Sequence, residues 1–214
     1  MKYYPVYLDL RDRPCLVIGG GTVAERKARA LLEAGADVTI ISPTLTPKLQ
    51  ELSESGKITH QQKKFSEKDL SGEFLVIAAT DSAEVNTVAA QACKRKHTLV
   101  NVVAPSEEST FIVPSVVERG ELLISVSTSG SSPALAKKIR EELEVRYGPE
   151  YDLFLVKFAA IRKQVIEEGV DGAKRRSIFK AIVESDTVEL LKQGKLHEAD
   201  ARMAEIAGLK HGHK

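Results

Sequence analysis

Three consecutive glycines, Gly19-Gly20-Gly21, are the residues of this 214-residue chain whose types and spacing best suit chemistry. The apolar run Cys15-Leu16-Val17-Ile18 precedes them. A segment with Ala24, Ala28 and Leu31 at helical spacing follows. Strand, glycine turn and helix in that order make a dinucleotide site. Gly19 permits the tight turn, Gly21 lets backbone approach a pyrophosphate, and Ala24 is small enough for helix and strand to pack closely. A helix beginning near Thr22 offers unpaired N–H groups and the positive end of a dipole to two phosphates. A bare G-x-G-x-x-[GA] pattern arises by chance in glycine-rich turns; the strand–turn–helix setting makes this one a nucleotide-binding expectation.

Three further stretches carry polar groups at positions where an open α/β sheet binds ligands. At the end of the strand expected over Asp37–Ile41 stands Ser42-Pro43-Thr44. An Asp or Glu there grips the ribose 2′-hydroxyl of NAD, whereas an Arg accepts the 2′-phosphate of NADP. This chain has neither, and Asp37 lies at the wrong end of the strand, so these residues leave NAD and NADP open. The hydroxyls of Ser42 and Thr44 are candidates for the ribose. The apolar run Phe74–Ala79 delivers Thr80 and Asp81 to the carboxyl end of a second buried strand; the plain alternative is that Asp81 only caps the helix that follows. The third stretch is Ser127-Thr128-Ser129-Gly130-Ser131-Ser132-Pro133, a turn dense in hydroxyls. It reads equally well as a capped helix start, Ser132 at the cap and Pro133 at the first helical position, and as a cradle for carboxylates or phosphates.

The elements that position these residues follow from periodicity and turn signals. Pro5–Leu10 alternates as a short strand. Strands are expected at 15–18, 37–41, 57–62, 74–79 and 98–103, the last carrying Asn101 near its end. Helices begin at Thr22, Thr46-Pro47 and Asp81-Ser82. Strands alternating with helices predict a right-handed, parallel, doubly wound α/β sheet of Rossmann type. After a polar loop at 104–110 containing Glu107 and Glu108, a strand at 121–127 leads to the helix after Ser132, with Leu135, Ile139 and Leu143 as its apolar seam. Beyond Gly148-Pro149 the chain reads as helices throughout, with too little apolar content for a convincing core of its own.

Composition narrows the function classes. With 43% hydrophobic and 29% charged residues the chain is globular rather than disordered. A net charge of +1 gives no basic field for nucleic acid. The longest apolar run, Phe74–Ala79, is far too short for a bilayer, and the first fourteen residues, broken by Pro5, Asp9 and Arg11, do not resemble a signal peptide. Cys15 and Cys93 lack metal-ligand spacing and read as reduced thiols of a cytoplasmic protein. The Lys174-Arg175-Arg176 cluster reads as a solvated face, and His211 and His213 as part of a frayed tail rather than a metal site.

Taken together, Arg11-Asp12-Arg13, VIGGGTVAERKARALL at 17–32, Ala78-Ala79-Thr80-Asp81 with Asn86, Asn101-Val102-Val103, Phe111–Ser115 and STSGSSPALA at 127–136 resemble the precorrin-2 dehydrogenase family, which includes the dehydrogenase/ferrochelatase module of sirohaem synthase. The resemblance covers nearly the whole chain. It implies oxidation of precorrin-2 to sirohydrochlorin with NAD as cofactor, in some members followed by Fe²⁺ insertion. It further implies a Rossmann domain at 1–113, a dimerisation segment at 114–148 that makes a homodimer, and a helical domain at 149–214. By the same resemblance Gly19, Gly21, Thr22 and Val23 cradle the pyrophosphate, and Pro43 and Thr44, beside Ser42, border the adenosine ribose. Thr80, Asp81 and Asn101 line the nicotinamide end, while Ser127, Thr128, Ser129 and Ser132 meet carboxylates of the tetrapyrrole. The chain departs from the family directly after Asn-Val-Val. The family's aspartate there, regarded as its acid/base residue, is Ala104, which can neither accept a proton nor hold a metal; Glu107 and Glu108 are the nearest carboxylates. No catalytic residue and no metal ligand is thereby assigned. The rival readings are a nucleotide-sensing Rossmann module, a dehydrogenase for another polyanionic small molecule, and a tetrapyrrole carrier without turnover.

Overall fold

In the computed structural model, which describes residues 2–209, the chain divides after Val113 into two compact units. The first holds five parallel strands in the order β3-β2-β1-β4-β5. These are β1 (Pro14–Ile18), β2 (Asp37–Ile41), β3 (Thr59–Gln61), β4 (Leu75–Ala78) and β5 (Leu99–Val102). Helices α1 (Thr22–Glu33), α2 (Pro47–Glu54) and α3 (Ala83–Arg95) connect them. β1 is central, with Val17 beside Ile40 on β2 and beside Ile77 on β4. Because successive side chains of a strand face opposite ways, β1 feeds two cores. Cys15 and Val17 join Ala24, Ala28 and Leu31 of α1 and Leu49 of α2; Leu16 and Ile18 join Ala89, Ala90 and Cys93 of α3. Helices thus cover both faces, as near-continuous apolar strands require. Burial pushes both the Cys15 and the Cys93 thiols up to about 11, and both are free and enclosed.

The expected strand at Pro5–Leu10 is absent. The chain forms no strand over these residues, of which only Leu10 is buried.

The second unit opens with an antiparallel hairpin, β6 (Ser115–Arg119) and β7 (Leu122–Val126), turning at Gly120 with φ +57°. Strand β6 was not among the expected elements; its half-polar Ser-Val-Val-Glu-Arg sequence hides a two-residue alternation. Helix α4 (Pro133–Arg146) follows. Its buried residue is Ala136, whereas Leu135 is 49% exposed, which corrects the expected seam. Helices α5 (Glu150–Glu167), α6 (Gly172–Val183), α7 (Thr187–Lys192) and α8 (Leu196–Ala207) complete the unit. Contrary to expectation they do enclose a core, made by Phe154, Val165, Ile178, Ile182, Leu191, Ala199 and Met203. Phe158 joins it, stacked on Phe154 and edge-on to Phe179. Segments 114–148 and 149–209 belong to the same compact unit. His211 and His213 lie outside the described residues.

Candidate functional site

The strand order reverses between β1 and β4, and in open α/β sheets ligands bind in the crevice that this reversal leaves at the carboxyl ends of the strands. A cleft of about 620 Å³ lies there, lined by residues 19–23, 41–46, 79–81 and Val103. Its base is the glycine turn. Gly19 has φ +119°, a conformation that costs an L side chain dearly, and a Cβ on it would lie 2.4 Å from Ala79 O. A Cβ on Gly20 would lie 1.9 Å from Thr44 O. These two glycines let β1's exit touch the exits of β4 and β2 at once. A Cβ on Gly21 would meet nothing within 4 Å. That open space faces the start of α1, whose N-cap is Gly21 itself and receives no side-chain hydrogen bond. The first N–H groups of α1 therefore have no capping side chain, and a phosphate fits the space a side chain leaves vacant.

The β2–α2 connection forms the next wall. Ser42 is buried and its hydroxyl donates to Thr44 O at 2.7 Å. That bond takes up the hydrogen expected for the ribose and folds Pro43 and Thr44 outward, both exposed. Thr46 fastens this wall to the glycine turn: its N–H donates to Gly20 O at 2.9 Å and its hydroxyl to Glu25 Oε2 at 2.7 Å, while it caps α2 through Leu49 N–H.

On the opposite wall Thr80 and Asp81 leave β4. Ser82, not Asp81, caps α3, accepting from Val85 N–H at 3.3 Å. Asp81 is thereby released from the capping role, and among the described residues lining the cleft it is the one ionisable side chain. The Thr80 hydroxyl is engaged with Asn86 Oδ1 and Ser82 O.

Nine of the ten expected cofactor-site residues line this cleft: Gly19, Gly21, Thr22, Val23, Ser42, Pro43, Thr44, Thr80 and Asp81. Asn101 does not; its Nδ2 donates to Phe111 O at 3.1 Å. Gly20, Ile41, Leu45, Thr46, Ala79 and Val103 also line it without having been assigned to the cofactor, although Gly20 stood within the glycine run itself. Of the carboxylates near Ala104, Glu108 is held by Lys94 at 2.5 Å. Lys94 lies eight residues beyond Asn86 on α3, about 12 Å of helix rise away. Glu107 is exposed.

The serine turn lies in the second unit and is largely satisfied by itself. Thr128 Oγ1 donates to Ser132 O at 3.0 Å and accepts from Ser132 N–H at 3.1 Å. Ser127 Oγ accepts from Ser129 N–H, and Ser132 Oγ accepts from Leu135 N–H. Ser129 has φ +55°. A separate depression of about 640 Å³ lies between α5 and α8, where Lys157 and Asp200 pair with each other at 2.6 Å.

Comparison with known proteins agrees with this geometry. Residues 6–115, just over half of the chain, match the NAD(P)-binding family model NAD_binding_7, and residues 119–146 match the model described as sirohaem biosynthesis protein central. A sirohaem synthase of Photobacterium profundum is 35% identical over 96% of this chain and 44% of its own length. That of Methylobacillus flagellatus is 42% identical over 84% of this chain and 38% of its own. The chain thus spans less than half the length of these curated relatives. Among solved structures, SirC, a precorrin-2 dehydrogenase, superposes with a TM-score of 0.81 at 28% identity, covering 95% of this chain and 100% of SirC. With a glycine cleft at the sheet's switch point and residues 6–115 matched, the chain belongs to the NAD(P)-binding family NAD_binding_7, and along most of its length it is similar to the sirohaem synthases and to SirC.

Proposed function

We propose that this chain oxidises precorrin-2 to sirohydrochlorin with NAD⁺ as hydride acceptor. The observation that carries the proposal is the likeness to SirC over the whole of that protein, combined with a cleft whose uncapped α1 start suits a pyrophosphate. When bound, the nicotinamide ring supplies the hydride acceptor. The chain's own part is positioning. Backbone of Gly19 and Gly21 and the N–H groups at Thr22 and Val23 hold the phosphates, Pro43 and Thr44 border the adenosine ribose, and Thr80 and Asp81 border the nicotinamide half. Holding reacting atoms in contact lowers a barrier by ~7–11 kcal/mol. Within this proposal residues 1–113 form the cofactor domain, 114–148 the dimerisation segment of a cytoplasmic homodimer, and 149–214 a helical domain. Ser127, Thr128, Ser129 and Ser132 meet the tetrapyrrole, Ser127, Thr128 and Ser132 with hydroxyls already engaged within the turn.

Iron insertion is not part of the proposal. Ala104 is exposed and carries no carboxylate, and among the described residues no three His, Cys, Asp or Glu side chains gather in a group fit for a metal ion. Ala104 is also the residue that favours the second reading, a carrier that holds the tetrapyrrole without turnover.

Anaerobic incubation with precorrin-2 and NAD⁺, followed by absorption spectroscopy, tests both. NAD⁺-dependent appearance of sirohydrochlorin above the protein-free rate is the expected result, and a parallel sample with NADP⁺ reads the cofactor preference. Tight NADH binding without oxidation would replace the dehydrogenase by the carrier.

A further inference from the structure

Asn86, in the first turn of α3, is 1% exposed, and its carboxamide uses every bond it can make well. Oδ1 accepts from Thr80 N–H at 3.1 Å and from Thr80 Oγ1 at 2.8 Å. Nδ2 donates to Thr80 O at 3.0 Å and to Ala104 O at 2.8 Å. The partners fix the amide's orientation, because a carbonyl oxygen only accepts and a backbone N–H only donates. A single side chain thus joins the exit of β4 to the exit of β5. On its other side Thr80 abuts Gly19, whose absent Cβ would lie 3.3 Å from Thr80 N. The Thr80 backbone is clamped between the glycine turn and Asn86.

The clamp lies on one half of the cleft. The β2 exit, Ser42–Thr46, is the wall where the adenosine ribose lies in this class of sheet. The β4 and β5 exits, with Thr80, Asp81 and Val103, form the opposite wall. We propose that Asn86 is a positioning residue for the nicotinamide half of the dinucleotide. It spends its whole carboxamide on Thr80 and Ala104, so it cannot also bond the ligand. It acts by fixing the wall against which the ring lies. The inference rests on the reading of the cleft as an NAD(P) site. Hydride transfer depends on placement so closely that a 1 Å error costs ~10²-fold in rate.

The test compares NADH with ADP-ribose, which shares every part of the cofactor except the nicotinamide. In Asn86→Asp the shape is kept, but a second carboxylate oxygen faces two carbonyl oxygens where an NH₂ group stood, so the β5 exit is pushed away. The expected result is an affinity for NADH reduced at least tenfold with that for ADP-ribose changed less than twofold. Equal losses for both, or no loss for either, would overturn the proposal. If Asn86→Asp does not fold, hydrogen exchange on the unliganded wild-type protein decides. A Thr80 amide protected before any ligand is added is expected, and rapid exchange there overturns the clamp. Both measurements omit the tetrapyrrole, so they stand even if precorrin-2 is not the substrate. A wild-type protein that binds neither nucleotide would remove the cleft reading and this inference with it.

Discussion

The glycine turn into α1 and the serine turn into α4 both lead from a strand to a helix, yet they treat the first helical N–H groups in opposite ways. Before α1, Gly21 is the cap and offers no oxygen; the start of the helix is left to whatever enters the cleft. Before α4, Ser132 Oγ takes the Leu135 N–H, Pro133 has no N–H to satisfy, and Thr128 bonds Ser132 in both directions. The turn richer in polar side chains is thus the poorer in available donors. Hydroxyls close to backbone find backbone first, so a turn keeps its donors for a ligand by having no side chains at all.

The largest effect that would sharpen this contrast is at Gly19. Gly19→Ala forces an L side chain into φ +119° and sets its Cβ 2.4 Å from Ala79 O. A loss of about 3 kcal/mol in unfolding free energy is expected, since strain and backbone collision act together. Urea unfolding reads that loss, and NADH binding should vanish with it. Gly21→Asp separates the two quantities. Its Cβ enters open space, and the carboxylate caps α1, so stability should rise by a few tenths of a kcal/mol, ~0.3. The same carboxylate stands where the proposed phosphate would lie and would repel it, so NADH affinity should fall by tenfold or more. Thermal unfolding and NADH titration moving in opposite directions is the signature. Parallel losses in both would show that α1 does not need its bare start.

How much of this was legible in the sequence depends on the range of each contact. The glycine turn, Ser42–Thr44 and Thr80–Asp81 were legible because strand ends converge by topology, which alternation alone reveals. Asn101, which is not among the residues lining the cleft, differs for the opposite reason. Its partner, Phe111 O, lies ten residues on in an irregular segment that no periodicity positions. Ser42 lines the cleft, as its place at the end of β2 suggests, but its hydroxyl donates to Thr44 O, a local turn bond that competes with any ligand. Asn86 belonged to the motif without a role, since a role that joins Thr80 to Ala104 exists only after β4 and β5 lie side by side. The core of α5–α8 escaped because its members are spread thinly over four helices, and only their packing gathers Phe154, Ile182 and Met203.

The serine turn supplies the next test. Ser132→Ala removes the cap of α4 and should cost about 1 kcal/mol of stability, read by urea unfolding, while NADH affinity stays unchanged. A variant of unaltered stability would show that Ser132 holds its hydroxyl for something other than Leu135 N–H, and the two turns would no longer differ in kind.

The smallest expected effect is at Ser42, where the contrast is most exposed to failure. Together with Thr44, Ser42 offers a hydroxyl on the wall where a ribose contact belongs. Its hydrogen goes to Thr44 O at 2.7 Å, and the residue is 6% exposed. Ser42→Ala leaves Thr44 O without that donor, but Thr44 is exposed and water can replace it, so the cost lies near the low end for a hydrogen bond, ~0.5 kcal/mol. If backbone alone grips the dinucleotide on this wall, NADH affinity changes by less than about threefold. A tenfold loss, ~1.4 kcal/mol, would mean that the hydroxyl leaves Thr44 for the ribose when the cofactor binds. Ser42 would then behave as the serine turn does not, exchanging an internal bond for a ligand, and an engaged hydroxyl could no longer be read as one withheld from the ligand.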